Sequence, residues 1–233
     1  VPARPDAAVI VQARSSSSRL PGKVLMPFGD STLLAHVLRR LRPAGLPIWL
    51  ATSTEQADEP VAAIGDAEAD GVHRGPRDDV LQRFVGCLDA MPSPPELVVR
   101  ICADRPFISP VVVRRLVDSY DDAERPDYLA NNIPKSYPDG LDVEVVRADA
   151  LREAASEAVE PEEREHVTPF VYRRPDRYRL ANIPCPYGNF SGVRAVIDTR
   201  ADYDALKVVH ERLGDRDLEA LLTLAILEPS LFP

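Results

Sequence analysis

The sequence predicts an α/β fold, three layers deep, with helices on both faces of a mostly parallel central sheet. Three observations carry that prediction. Apolar runs at Val9–Val11, Ile48–Ala51 and Leu97–Ala103 have the length and apolar character of strands buried on both faces. Between them lie segments whose apolar residues recur every three to four positions, as on a helix packed along one side. The two kinds of segment alternate through the first half of the chain, as βα units do. A chain of 233 residues can bury about 70–75% of its unfolded surface in one core or at most two. One domain over residues 1–233 is the economical reading.

The first strand runs directly into QARSSSSRLPGK, residues 12–23, where turn formers and cations replace apolar side chains. Arg14, Arg19 and Lys23 flank four serines, and Pro21-Gly22 turns the chain just before the lysine. Guanidinium forks, hydroxyls and backbone N–H groups at this density suit a polyphosphate, although a solvated surface loop has the same composition. The loop is neither a P-loop nor a Rossmann fingerprint, because Lys23 is followed by Val24 and no G-x-G-x-x-G is present.

Leu33, Leu34, Val37, Leu38 and Leu41 then keep helical spacing, with Asp30-Ser31-Thr32 as caps and Pro43 as the stop. Pro47–Ser53 reads as the second strand, 57–69 as a helix, and Gly71–His73 as a short strand. Asp78 or Asp79 can cap a helix carrying Val80, Leu81, Phe84, Val85 and Leu88. After a break at 92–95, Leu97–Ala103 delivers Asp104 at its carboxyl end, where open parallel sheets bind ligands. Pro110 opens the next helix. Strands are predicted at Asp127–Asn132 and Leu141–Val146, the latter with Leu141, Val143 and Val145 on one face and Asp142 and Glu144 on the other. Helices follow at 148–159 and from Pro161 to His166, and strands at Tyr178–Ile183 and Val193–Ile197 close the sheet. Helical spacing returns at Tyr203, Leu206, Val209 and Leu213, and the apolar tail Leu218–Leu227 is a packing element.

The net charge of −9 argues against a general nucleic-acid surface, which needs a basic face. Three cysteines, Cys87, Cys102 and Cys185, show neither a C-x-x-C spacing nor an even count, so reduced thiols in a cytoplasmic protein are expected. No apolar run approaches the ~20 residues of a membrane span. The 23 prolines are scattered through connections and mark no boundary.

The string Ala13–Lys23 resembles the triphosphate-binding signature of the cytidylyltransferases that make CMP-activated acidic sugars, nearest their SpsF-like spore-coat branch. Further matches follow in the family's order over roughly residues 8 to 213: Ala51-Thr52-Ser53, Arg74-Gly75 with Asp78–Leu81, Asp104-Arg105-Pro106, Asp139–Glu144, Arg164–Pro169 and Ile197-Asp198-Thr199. The resemblance implies a nucleotide-diphospho-sugar transferase fold, GT-A-like and Rossmann-like in its layering. It implies that CMP passes from CTP to a small acidic acceptor, with loss of pyrophosphate and dependence on Mg²⁺. Arg14, Arg19 and Lys23 would hold the phosphates with Ala13 and Ser18. Thr52, Ser53, Arg74 and Asp79 would line the nucleobase side. Asp104 and Asp198 would hold the metal, although Asp198 before a helix also reads as a cap. Arg105, Asp139, Asp142, Glu144, Glu165 and His166 would face the acceptor, under a 132–192 region that resembles an inserted lid and dimer contact.

Three carboxylates would repel an acidic acceptor unless they face its hydroxyls, the ribose or a second metal, and Arg100, Lys135, Arg164 and Arg194 are at hand as cations for the acceptor's own anion. The family string Gly-Asp-Cys-Pro is Ala103-Asp104-Arg105-Pro106 here, and the added cation suits a smaller or more anionic acceptor, a phosphonate such as phosphonoformate, besides the nonulosonic-type sugar acid. Two other readings compete: a glycosyltransferase on the same fold, which would want an Asp-x-Asp motif, and a nucleotide-binding module without turnover.

Overall fold

The computed structural model describes residues 6–121 and 123–233. Its strands are β1 (Ala7–Gln12), β2 (Pro27–Phe28), β3 (Ser31–Thr32), β4 (Ile48–Ser53), β5 (Gly71–Gly75), β6 (Leu97–Cys102), β7 (Tyr128–Ala130), β8 (Glu144–Arg147) and β9 (Leu180–Asn182). Its helices are α1 (Leu33–Leu41), α2 (Glu59–Glu68), α3 (Val80–Ala90), α4 (Pro110–Asp118), α5 (Ala148–Glu157), α6 (Pro161–His166), α7 (Pro169–Tyr172), α8 (Arg200–Leu213) and α9 (Leu218–Leu227).

Seven strands form one sheet in the order β5-β4-β1-β6-β8-β7-β9, and β2 with β3 makes a separate hairpin. Every neighbouring pair in the large sheet is parallel except those made by β8, which runs against both β6 and β7. Alternation along the strands fixes the layers. Val9, Val11, Val99 and Val145 point to one face and pack with α1, α4, α8 and α9. Ala8, Ile10, Val98 and Val146 point to the other and pack with α3, α5 and α7. The three-layer arrangement expected from sequence is the one observed.

Helix starts follow local chemistry. Thr32, Asp79 and Ser109 each accept a backbone N–H three residues on, at the starts of α1, α3 and α4. Thr199 and Asp202 form a reciprocal capping box at α8. Asp198 is therefore not the cap of that helix.

Two predicted strands differ. Val193–Ile197 does not join the sheet, and among the described residues its pairing is an isolated bridge between Arg194 and Asp139. Its N–H groups divide between two segments, Ala195 donating to Asp139 O and Ile197 to Asp104 O, so no ladder forms. The strand predicted at 141–146 starts only at Glu144, because the Asn131 side chain takes the backbone groups of Leu141 and Val143, at 2.8 Å each. Gly140 explains the chain path here. At φ +103, with a built Cβ only 2.4 Å from Ala195 O, no other residue fits. The 132–192 region supplies β8 and β9 to the common sheet as well as α5 to α7.

Among buried polar side chains, His36 on α1 has a direct consequence for stability. It is 6% exposed, its Nε2 lies 2.9 Å from Pro106 O, and its ring packs against Phe28 and His210. Burial pushes its pKa down to about 4. The unfolded chain therefore takes up a proton near pH 6.5 that the folded chain refuses until about pH 4. Stability is full above the unfolded value and falls as pH drops through this window, by roughly 2–3 kcal/mol at pH 4.5. Urea unfolding at pH 7 and 4.5 checks this: the drop is expected to shrink in His36→Leu, and an unchanged drop would assign it to other groups.

Candidate active site

The carboxyl ends of β1 and β6 open into a cleft of about 490 Å³. Gln12 ends β1, and the loop that follows is held from below. Ser15 N donates to Asp58 Oδ1 at 2.6 Å, and Gly22 N closes the loop on Ser15 O at 2.8 Å. Gly22 takes the left-handed conformation, φ +72, which turns Lys23 inward to near-complete burial. Burial alone would raise Asp58, but hydrogen bonds from Ser15 and Ser53 hold its pKa below the usual carboxylate value.

Lys23 Nζ is the hub of the site. It donates to Asp104 Oδ2 at 2.8 Å, Asp198 Oδ1 at 3.1 Å and Ile197 O at 2.7 Å. Arg19 and Arg194 also pair with Asp198, at 2.8 and 2.7 Å. Three cations thus offset its burial, and its pKa lies below the ordinary value. Arg14 sits across the cleft, 3.3 Å from Glu165 and 3.8 Å from Asp78. Among the described residues no group of three or more histidines, cysteines or acids is arranged to hold a metal, so Asp104 and Asp198 converge as a pair.

On the far wall the carboxylates are not free. Arg100 pairs with Glu144, whose Oε1 also accepts from Tyr128 and Thr168 at 2.7 and 2.9 Å. Asp142 lies 3.5 Å from Arg105 and 3.3 Å from Lys135, and Asp139 pairs with Lys135 and Arg194. The repulsion expected from these three acids is therefore neutralised within the fold. Glu165 and His166 are exposed on the cleft's rim at the end of α6. Val167 beside them has φ +73 in a γ-turn closed by Thr168 N on His166 O at 2.9 Å, a strained geometry for a β-branched residue.

Of the sequence-predicted residues, Ala13, Arg14, Ser18, Arg19, Lys23, Asp104, Arg105, Glu144, Glu165, His166 and Asp198 line this one cleft. The others do not. Thr52 and Ser53 are buried at the end of β4, Ser53 bound to Asp58. Arg74 turns to Ser53 O, Glu55 O and Glu59. Asp79 caps α3 and pairs with Arg164 at 2.6 Å, while Asp139 and Asp142 stand behind the wall as partners of cations. The sequence reading missed Gln12, Arg83, Thr168 and Tyr172, which also line the cleft, and Asp58, which anchors the loop. Asp58 reads as an ordinary acid at a helix start, and Arg83 as the polar side of α3.

Known proteins resemble this chain over most of its length. The profile of the cytidylyltransferase family matches residues 8–213. The spore coat polysaccharide biosynthesis protein SpsF of Bacillus subtilis (strain 168) is 31% identical over 236 residues, covering 96% of this chain and 95% of its own length. The 3-deoxy-manno-octulosonate cytidylyltransferase of Anaeromyxobacter sp. (strain K) is 30% identical over 123 residues, 53% of this chain and 50% of its own. A cytidylyltransferase structure from Leptospira borgpetersenii serovar Hardjo-bovis (strain JB197) superposes with a TM-score of 0.89 at 26% identity, covering 98% of this chain and 97% of its own. CMP:2-keto-3-deoxy-manno-octonic acid synthetase complexed with CTP shares the fold, with a TM-score of 0.65 at 18% identity over 89% of this chain and 99% of its own.

Proposed function

The chain belongs to the cytidylyltransferase family, and on that premise we propose that it transfers CMP from CTP to a small acidic acceptor and releases pyrophosphate. The observation that carries the reading is the meeting of Arg14, Arg19 and Lys23 with Asp104 and Asp198 in one cleft. An acceptor oxygen attacks the α-phosphorus, the bond to the bridging oxygen of the β-phosphate breaks, and pyrophosphate leaves with the charge. Fixed cations in a partly enclosed cleft stabilise that charge more than water does. Transfer of this kind needs positioning and electrostatics in place of a covalent intermediate.

Mg²⁺ fits the donor set. Asp104 and Asp198 are hard oxygen ligands that already converge on one cation, the Lys23 ammonium, and Mg²⁺ is held elsewhere by one or two carboxylates with waters and substrate phosphates. When bound it would supply charge neutralisation at the phosphates. Arg100 and Arg105 also line the cleft, but Glu144 and Asp142 already balance their charges, so the reading of an acidic acceptor, a nonulosonic-type sugar acid or a phosphonate, is supported by the family match and not by free cations there. His166 on the rim is the candidate for the acceptor's proton, which the pH profile of His166→Gln tests. We place the reaction in the cytoplasm as a homodimer, supported by three unpaired thiols and by exposed Ile133, Leu180, Ile226 and Leu227. A monomer by light scattering would count against the dimer.

Thermal denaturation with CTP, UTP, ATP and GTP, each with and without Mg²⁺, tests the nucleotide. CTP at a hundredfold excess over its Kd is expected to add about 2.7 kcal/mol, or roughly 5–10 °C, and Mg²⁺ to enlarge the shift. No shift with any triphosphate, or a larger one with a diphospho-sugar, would overturn the reading.

A further inference from the structure

We propose that Arg83 on α3 is a further anion-binding residue of the cleft, contacting the nucleotide's phosphates opposite Arg14. The inference rests on the CTP reading of this site and adds a residue to it.

Arg83 is 1% exposed, yet it lines the cleft. Its hydrogen bonding is almost empty: Nη1 donates to Pro76 O at 3.3 Å, and Nε has no partner. Among the described residues no carboxylate lies within the 4.0 Å of an ion pair. Arg100 and Arg105, on the same cleft, show the contrast, since each has its own carboxylate, Glu144 and Asp142. A buried guanidinium left without an anion is costly, and proteins rarely keep one without use. Burial and then the charge of Arg14 push Arg83 down to about 10, against a partial offset from the carboxylates of Asp58, Asp78 and Asp79, none of which pairs with it directly.

The side chain is held in place. A Cβ on Gly75 would lie 3.2 Å from Arg83 Cγ, so the glycine lets β5 close on the arginine's stem. A nucleobase edge offers neutral acceptors, which would leave two like charges facing each other. A phosphate satisfies the open donors of Arg83 and offsets its charge, while Arg14 already has Glu165 and Asp78 beside it, which favours the phosphates as the partner.

The test is Arg83→Met, with Arg83→Lys as a second variant, titrated calorimetrically with CTP, pyrophosphate and cytidine. In Arg83→Met the affinity for CTP and pyrophosphate is expected to fall on the order of 100-fold and that for cytidine to stay unchanged. The ligand-free variant is expected to melt at or above the wild-type temperature, which loss of a structural arginine would not give. CTP affinity within twofold of wild type, or an equal loss for cytidine, overturns the proposal. If Arg83→Met does not fold, Arg83→Lys decides on the same ratio of CTP to cytidine loss. If wild-type protein binds pyrophosphate but not CTP, the proposed function fails while the anion role is still read from Arg83→Met with pyrophosphate.

Discussion

An Asp198→Asn or Asp104→Asn chain, given CTP and a competent acceptor, is expected to release pyrophosphate on the order of 10³-fold more slowly than wild type. The change preserves shape and removes one charge. Asp198 does not cap α8, which Thr199 and Asp202 do, but it is the buried partner of Lys23, Arg19 and Arg194, so the melting temperature of the ligand-free variant is compared with wild type to separate a loss of rate from a loss of fold. What Asp198 does is meet Asp104 at a single cation, with Lys23 Nζ at 3.1 and 2.8 Å. Losing either carboxylate lowers the pull on any divalent ion there. The Mg²⁺-dependent part of the CTP thermal shift is therefore expected to vanish together with the rate. A variant that keeps its rate within tenfold, or keeps that Mg²⁺ increment, would move the metal away from this pair.

Glu144→Gln is expected to cost about 3–5 kcal/mol of stability, measured by urea unfolding at pH 7. Burial alone would raise the pKa of Glu144, but the Arg100 charge and hydrogen bonds from Tyr128, Arg100 and Thr168 hold it below the ordinary value. The pair's stabilisation is thus complete above the unfolded carboxylate's pKa, near 4.5, and is lost as pH falls below it. Gln keeps an acceptor for Tyr128 and Thr168 but leaves the Arg100 guanidinium buried without its counter-charge. A double change, Arg100→Met with Glu144→Gln, is expected to recover most of the loss, since it removes both charges together and keeps an acceptor for Tyr128 and Thr168. A loss under 1 kcal/mol in the single variant would mean that water reaches Arg100.

The parts of this fold that were legible in the sequence are those written in local spacing. The α1 stripe, the caps Thr32 and Asp79, the loop cations and Asp104 at a strand end all depend on residues a few positions apart. The parts that were not legible depend on which distant segment arrives. Val193–Ile197 has a strand's composition, but Asp139 and Asp104 compete for its N–H groups. Ser53 and Arg74 belong to matching strings, yet Asp58 and Glu59 draw their side chains away from the cleft. Arg83 has the look of a solvated helix residue until Gly75 of β5 and Pro76 close on it. Asp139, Asp142 and Glu144 read as ligands in sequence, whereas in the fold they are largely counter-ions to the wall's own cations.

The position of β8 has a consequence for how the protein is made. β8 lies between β6 and β7 although it follows both in the chain, so β7 has no sheet neighbour until residue 147 has left the ribosome. At 5–20 residues per second, Arg100 waits roughly 2–9 s for Glu144 to be synthesised. Through that interval β1, β4, β5 and β6 can already align, carrying the loop cations and Asp104, while one edge of β6 stays open to unwanted pairing. Asp198 comes later still. The nascent protein therefore holds the loop cations and Asp104 before it has Glu144, Glu165 or Asp198 to complete the cleft around them.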